Sequence, residues 1–237
     1  KYILPARGGD PIRDPDVYPS GRGMYAFDPR GVPTIAAETR GKRAAELLIA
    51  SYVKAHNTMP ETIGMVLWGF ETMKTGGDTI AAILFLLGVR IKHSRNAWFK
   101  ELELIPLVEL NRPRIDVVIT ICGIFRDTFG THIDLLNRAF EMAAGCDESG
   151  EHNFVKKHWQ EQRETLQEFA LARIFGPSPT EYATSMRTLV ETGSWQREED
   201  LVKQYDDSMS YAYFRGKVQK HVQAFAQAAQ SVDLVTQ

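Results

Sequence analysis

Two short apolar runs, each followed by a glycine, most strongly limit what this chain can fold into. Thr62–Trp68 is bounded by Pro60 and Gly69, and Ile115–Ile121 is dense in β-branched residues and is followed by Gly123. Runs of this length and composition are typical of buried strands. We therefore predict core strands at Thr62–Trp68 and Ile115–Ile121.

Helical patterns alternate with these strands. Glu38–His56 carries apolar residues at spacings of three and four, Asp78–Leu87 is apolar nearly all round, and His132–Ala144 is amphipathic. A further strand is predicted at Glu103–Glu109, where Pro106 removes one backbone donor. This order predicts an α/β fold, with an open, mostly parallel sheet, flanking helices and a following helical segment.

Three regions follow from the distribution of these patterns. Residues 1–37 are predicted to form an extended arm because they are rich in Pro and Gly; residues 38–147 form the α/β layer, and residues 148–237 form a mainly helical segment packed on it. The last region shows no clear strand. Its predicted helices are Phe154–Arg173, Glu181–Thr192, Glu198–Asp207 and Arg215–Val232.

Composition narrows the function classes. The 237 residues carry 28 Lys and Arg against 30 Asp and Glu, a formal charge of -2, so no basic field for nucleic acid is expected. The longest apolar run, Ile80–Val89, is too short for a transmembrane helix. Cys122 and Cys146 show no metal-ligand spacing, which favours free thiols and a cytoplasmic location.

Polar residues are concentrated in three loops expected at strand ends, where parallel α/β sheets bind ligands. Arginine and lysine there suit a ligand with carboxylates, and acidic residues can hold a metal or accept a proton. The loop residues are Glu71, Lys74 and Asp78, then Glu109, Asn111, Arg112 and Arg114, then Arg126, Asp127 and His132.

Structural roles are the alternative for the same residues. Arg112 and Arg114 can pair with Glu109 or Asp116, while the Arg126 and Asp127 side chains can bridge each other or cap a helix.

A glycine pair, Gly76-Gly77, opens the helix that follows the first core strand. It can present backbone N–H groups to an anion, but it more simply serves a tight turn. GxGxxG and GxxxxGK[ST] are both absent, so no nucleotide site is predicted.

Six segments together carry a resemblance to one protein family. They read KYILPARGGDPIRDPD, SGRGMYAFDPRGVPT, ETIGMVLWGFETMKTGGDTIAAILFLLGVR, ELIPLVELNRPRIDVVITICGIFRDTFGTHIDLLNRA, HNFVKKH and ARIFGPSPTEY. In this order they resemble the large subunit of class I tetrapyrrole metal chelatases. That family unites the H subunit of magnesium chelatase and the CobN subunit of aerobic cobaltochelatase. The combination of LWG, a lysine–glycine loop, RPRIDV and FRD is specific.

The resemblance implies an internal portion of a large, porphyrin-binding chelatase subunit. ATP would be bound and hydrolysed by a separate AAA+ subunit that works with a bridging subunit. The implied reaction is insertion of Mg²⁺ into protoporphyrin IX for (bacterio)chlorophyll synthesis. The alternatives are insertion of Co²⁺ into a corrin precursor for cobalamin synthesis, or a non-catalytic portion that docks the AAA+ motor subunits.

Combined with the loop residues, the resemblance suggests tetrapyrrole contacts. An aromatic side chain can stack on the ring, cations can neutralise its propionates, and carboxylates can accept pyrrole protons. The expected contacts are Trp68, Glu71, Lys74, Arg112, Arg126 and Asp127. The magnesium or cobalt ion is treated as substrate, and no catalytic residue or resident metal site is assigned.

Overall fold

The computed structural model describes residues 28–92, 100–184 and 186–236, with the short segments 6–7, 15–18 and 23–25. The strands are β1 (Ala6–Arg7), β2 (Gly23–Tyr25), β3 (Thr62–Leu67), β4 (Val89–Lys92), β5 (Glu101–Leu104), β6 (Asp116–Ile121), β7 (Ile174–Gly176), β8 (Tyr211–Phe214), β9 (Lys217–Lys220) and β10 (Leu234–Thr236). The α-helices are α1 (Ile35–His56), α2 (Gly69–Thr75), α3 (Asp78–Leu86), α4 (Leu107–Leu110), α5 (Gly123–Thr128), α6 (Gly130–Gly145), α7 (Phe154–Leu166), α8 (Met186–Thr192), α9 (Glu198–Met209) and α10 (Val222–Gln230).

Six of the described strands form the main sheet, in the order β10-β3-β6-β7-β8-β9. β10, β3, β6 and β7 run parallel, whereas β8 and β9 add an antiparallel hairpin. The two predicted core strands, β3 and β6, pair along their full length, from Thr62 opposite Asp116 to Leu67 opposite Ile121. The predicted α/β fold with an open, mostly parallel sheet is therefore confirmed.

β3 and β6 lie in the core because both of their faces are covered. On one face Ile63, Leu67, Val117 and Ile119 have no exposed surface, and on the other face Thr62 and Val118 are 0% and 4% exposed. Burial of side chains of this size stabilises the fold by about 1.5–3 kcal/mol each. This is the arrangement that nearly continuous apolar strands of parallel sheets adopt.

Helix α1 packs closely against α3 at a glycine. A Cβ atom on Gly41 would lie 2.5 Å from the Asp78 carbonyl oxygen, so the two backbones approach more closely there than an alanine allows. The side chain of Thr34 caps α1 by accepting a hydrogen bond from the Ala37 amide. None of the helices in the described part of the chain is both long and apolar enough to cross a membrane.

The second half of the chain contains strands that the sequence patterns did not predict. β7, β8, β9 and β10 all lie within residues 148–237, and each is only three or four residues long. The predicted helix Arg215–Val232 is a strand, β9, followed by the shorter helix α10. Strands this short cannot show the alternation by which a strand is recognised.

The predicted strand at Glu103–Glu109 also differs. β5 ends at Leu104 and pairs antiparallel with β4 in a separate two-stranded ribbon, while Leu107–Leu110 forms the short helix α4. Pro106 is the N-cap residue of α4, which suits its missing amide hydrogen. This region therefore adds no strand to the main sheet.

Most of the predicted arm at residues 1–37 lies outside the described residues. Within its described parts, β1 and β2 pair in parallel, and α1 begins at Ile35, three residues before the predicted helix.

Candidate functional site

The turns after β3 and β6 meet at one edge of the sheet. Leu67 and Ile121 are paired in register, so Trp68 and Cys122 follow at the same carboxyl edge. A Cβ atom on Gly69 would lie 2.5 Å from the Ile124 side chain and 3.0 Å from the Phe125 nitrogen. The first residues of α2 and α5 are thus in direct contact, and the glycine is needed for it. This carboxyl edge is where ligands of parallel α/β sheets bind.

Large aromatic side chains are exposed at this edge. Trp68 is 44% exposed and Phe70 is 62% exposed, although both directly follow a buried strand. Tyr182, in the loop after β7, is 60% exposed. A group of exposed large aromatic residues is a common mark of a contact surface. We refer to Trp68, Phe70 and Tyr182 as the aromatic edge.

Glu71 and Lys74 lie on α2, directly after the aromatic edge. Glu71 accepts a hydrogen bond from the Thr79 hydroxyl at 3.4 Å and lines a groove of about 640 Å³. That groove is also lined by Leu47, Met65, Ala82 and Thr236. The Lys74 side chain is exposed. α2 therefore carries an acidic group in the groove and a basic group in solvent.

The glycine pair after α2 serves a turn and a close contact. Gly76 and Gly77 adopt φ of 71° and 96°, the left-handed region that favours glycine. A Cβ atom on Gly77 would lie 2.5 Å from the Val32 side chain, and the Thr34 amide donates a hydrogen bond to the Gly76 carbonyl. The pair thus forms a turn before α3, as the turn interpretation predicted, and it also holds residues 32–34 in place.

His132 holds the same segment from another side. Its Nε2 lies 2.7 Å from the Val32 carbonyl oxygen, and Lys100 donates a hydrogen bond to the Pro33 carbonyl oxygen at 3.1 Å. Burial, with a smaller effect of Lys100, lowers the pKa of His132. A neutral imidazole that donates from Nε2 to a carbonyl is the consistent state.

Arg112 lies at the opposite edge of the sheet. Its guanidinium donates hydrogen bonds to the carbonyl oxygens of Phe85 and Leu86, at the end of α3, and stacks on the Phe85 ring at 4.7 Å. Burial and the nearby Arg114 lower the pKa of Arg112 to about 10, so it stays protonated at neutral pH. The expectation that the loop of Arg112 lies at the same ligand-binding strand ends as Arg126 is wrong, because Arg112 precedes β6 and Arg126 follows it.

Arg126 and Asp127 form the ion pair that the structural alternative predicted. The Arg126 Nε donates to the Asp127 carboxylate at 2.7 Å, and Nη1 donates to the carbonyl oxygens of Ser178 and Glu181 at 2.8 Å each. Arg126 and the Tyr182 hydroxyl lower the pKa of Asp127. Both residues therefore bind the loop that follows β7.

A buried ion cluster at the amino edge has no counterpart in the sequence analysis. Asp116 has no exposed surface; it accepts hydrogen bonds from Arg173 Nε at 3.0 Å and lies 3.0 Å from His158 Nδ1. His158 Nε2 lies 3.3 Å from Glu61. The signal that was available is a lone carboxylate at the start of a buried strand, since such a group needs charged partners.

Burial and charge act in opposite directions on the acid–base groups of this cluster. Burial alone raises the pKa of Asp116, but Arg173 and His158 outweigh it, so the pKa lies below its usual value. Burial lowers the pKa of His158, but Asp116 and Glu61 raise it above its usual value. A charged His158 between two carboxylates is therefore favoured.

In the part of the chain that the structure describes, no group of three or more His, Cys, Asp and Glu side chains is arranged to hold a metal ion. Cys122 and Cys146 are free thiols, in agreement with the prediction.

Comparison with known proteins places this fold in one family. The CobN/Magnesium Chelatase family model matches residues 1–237. The chain is 41% identical over 217 residues to the magnesium-chelatase subunit ChlH of Oryza sativa subsp. japonica, covering 90% of this chain and 16% of that protein. It is 34% identical over 228 residues to the aerobic cobaltochelatase subunit CobN of Sinorhizobium sp., covering 92% of this chain and 18% of that protein.

A solved structure agrees with these sequence matches. The catalytic subunit of cobaltochelatase from Mycobacterium tuberculosis superposes with a TM-score of 0.90 at 33% identity, covering 98% of this chain and 20% of that chain. The chain thus spans about a fifth of the length of the relatives it matches. With a family model that covers its whole length and relatives above 30% identity, this chain belongs to the CobN/magnesium chelatase family.

Proposed function

We propose that this chain is part of the large subunit of an ATP-dependent metal chelatase and that its aromatic edge contacts the tetrapyrrole. Family membership supports the reaction class. The observation that carries the site is the exposure of Trp68 and Phe70 at the carboxyl edge, where ligands of such sheets bind.

The chemistry of a tetrapyrrole matches what this edge offers. Its flat ring stacks on aromatic faces, and its carboxylates attract cations such as the exposed Lys74. Insertion of a metal also removes two pyrrole protons, for which Glu71 on the same helix supplies a carboxylate. Arg126 and Asp127 lie on the neighbouring turn, where they bind the loop after β7. Arg112 lies at the other edge and is left out of this contact surface.

Two substrate pairs fit the family. We propose Mg²⁺ and protoporphyrin IX as the first candidate, supported by magnesium-chelatase relatives that are 34–41% identical to this chain, a range that includes the 34% of CobN. Co²⁺ with a corrin precursor is the second candidate, favoured by the superposition on a cobaltochelatase subunit. In both cases ATP is hydrolysed by a partner AAA+ subunit that acts with a bridging subunit.

A docking role is a second candidate function. Val190, Trp195 and Val202 lie on or between α8 and α9 and are 54%, 39% and 59% exposed. Exposed apolar side chains of this kind suit a protein partner, here the motor subunits. A pull-down of those subunits with the wild-type chain and with a Val190→Ser/Val202→Ser variant tests this role, and equal capture by both would argue against it.

Titration of the chain with protoporphyrin IX, followed by the porphyrin absorption band, tests the proposed site. Trp68→Ala should weaken binding about tenfold because it removes a stacking surface. Trp195→Ala is the matched control, since Trp195 is similarly exposed, at 39%, and lies between α8 and α9, outside the aromatic edge as defined. Equal weakening of porphyrin binding by both substitutions, or no weakening by either, would exclude Trp68 as a contact.

Insertion of Mg²⁺ and Co²⁺ measured side by side, with the partner subunits, distinguishes the two metals.

A further inference from the structure

The loop after β7 covers the carboxyl end of the central strand β6. The Gly123 amide, the first of α5, donates a hydrogen bond to the Tyr182 carbonyl oxygen at 3.0 Å. A Cβ atom on Gly123 would lie only 2.6 Å from the Tyr182 Cα. The backbone of Tyr182 is therefore seated directly on the turn that begins α5.

Arg126 fixes this loop through several contacts at once. Its Nη1 bonds to the carbonyl oxygens of Ser178 and Glu181, its Nε bonds to Asp127, and its guanidinium lies 5.3 Å from the centre of the Tyr182 ring. Only 12% of the Arg126 side chain is exposed. Little of the guanidinium is left to reach a carboxylate on a ligand.

A second anchor holds the start of the same loop. The buried Tyr213 hydroxyl donates a hydrogen bond to the Pro177 carbonyl oxygen at 2.5 Å. Tyr213 belongs to β8, the strand beside β7. The loop is thus fixed at Pro177 by the sheet and between Ser178 and Tyr182 by Arg126.

Tyr182 stays exposed despite these anchors. Its ring is supported on the Arg126 side, yet 60% of the residue faces solvent. Gly69, between the other two exposed aromatic residues, touches Ile124, and Gly123 touches Tyr182. The three exposed aromatic residues therefore come from adjacent turns at one edge.

We propose that Arg126 is a positioning residue: it places Tyr182 as the third aromatic contact for the tetrapyrrole beside Trp68 and Phe70, and it does not itself bind the propionates. This inference rests on the proposed function. Tyr182 thereby joins the expected tetrapyrrole contacts, and Arg126 supports that contact instead of binding a carboxylate.

The two roles for Arg126 predict different results with esterified substrate. The experiment compares binding of protoporphyrin IX and its dimethyl ester by the wild-type chain, Arg126→Gln, Arg126→Lys, Tyr182→Ala and the Arg126→Gln/Tyr182→Ala double variant. Positioning predicts that Arg126→Gln, Arg126→Lys and Tyr182→Ala each weaken binding about tenfold for both ligands. It also predicts that the double variant binds both ligands as well as Tyr182→Ala does, because the two changes remove the same contact.

Hydrogen exchange at Gly123 gives a readout without any ligand. Release of the loop in Arg126→Gln should speed exchange of the Gly123 amide, which is protected by its bond to the Tyr182 carbonyl. Arg187→Gln is the control, because Arg187 pairs with Glu191 on α8 and is 86% exposed. Unchanged exchange in Arg126→Gln would overturn the positioning role.

The outcomes separate the inference from the proposed function. Three results would overturn the inference and leave the proposed function in place. They are a loss of affinity for the free acid but not for the ester, normal binding by Arg126→Lys, and losses of affinity that add up in the double variant. Absence of saturable binding by the wild-type chain would overturn the proposed function itself. Tyr182→Ala changes an exposed side chain, so it tests the aromatic contact even if an Arg126 variant fails to fold.

Discussion

Removal of the Asp116 charge should destabilise the fold strongly. Asp116 has no exposed surface, and Arg173, only 2% exposed, donates to both of its carboxylate oxygens at 3.2 and 3.0 Å. Asp116→Asn keeps the shape but leaves the guanidinium buried with no counter-charge there. Breaking a buried pair in this way costs about 3–5 kcal/mol, a large part of the roughly 5–15 kcal/mol by which domains are stable.

Urea unfolding at neutral pH measures this loss. The midpoint should fall with little change in the slope of the unfolding free energy against urea, which marks a change in stability rather than in the surface exposed. An Asp116→Leu/Arg173→Met double variant should recover part of the loss, because it removes the buried guanidinium together with its counter-charge, while His158 keeps Glu61 as its charged partner.

A surface pair provides the control. Glu191 binds Arg187 at 2.7 Å, but the two side chains are 60% and 86% exposed. Glu191→Gln should therefore cost less than about 0.5 kcal/mol. A loss below about 1 kcal/mol for Asp116→Asn, or a double variant less stable than Asp116→Asn, would refute the reasoning that this cluster is a buried, mutually compensated unit.

Two further predictions concern pH and backbone contact. The raised pKa of His158 means that its contribution to stability is complete below its unfolded value of about 6.5 and is lost as the pH rises through the folded value. The free energy of unfolding should thus fall as the pH rises above about 6.5, and His158→Gln should remove this pH dependence. A pH dependence that survives the substitution would come from other groups. Gly123→Ala, whose Cβ would meet the Tyr182 backbone, should destabilise the chain by about 1–3 kcal/mol in thermal unfolding. Gly145→Ala, with nothing within 4 Å of its added Cβ, is the control, and equal effects would contradict the contact.

The sequence predicted the core of the sheet because its physical signals are local. β3 and β6 are six residues each, apolar and bounded by glycine, so composition alone marks them as strands. β7 is three residues, and what makes it a strand is its pairing with β6 and β8. Such pairing is a tertiary property, and no short window of sequence contains it.

The candidate site was predictable in part for the same reason. Trp68 and Lys74 follow a correctly predicted strand, so their place at the carboxyl edge followed from its direction. The pattern at Glu103–Glu109 predicts a strand of the main sheet and so places Arg112 at the wrong edge. Only Glu101–Leu104 is a strand, and it pairs with β4 outside the main sheet. The contact of Arg126 with residues 178–182 joins segments about fifty residues apart, and no spacing signals it.

Photo-oxidation by bound protoporphyrin IX tests the central claim most directly. The illuminated porphyrin oxidises aromatic side chains close to it, and peptide mass spectrometry locates the oxidised residues. Trp68 and Trp195 are 44% and 39% exposed, so free porphyrin in solution should oxidise them about equally. Bound porphyrin should oxidise Trp68 and Tyr182 well before Trp195. Equal oxidation of the two tryptophans, or faster oxidation of Trp195, would contradict the central claim.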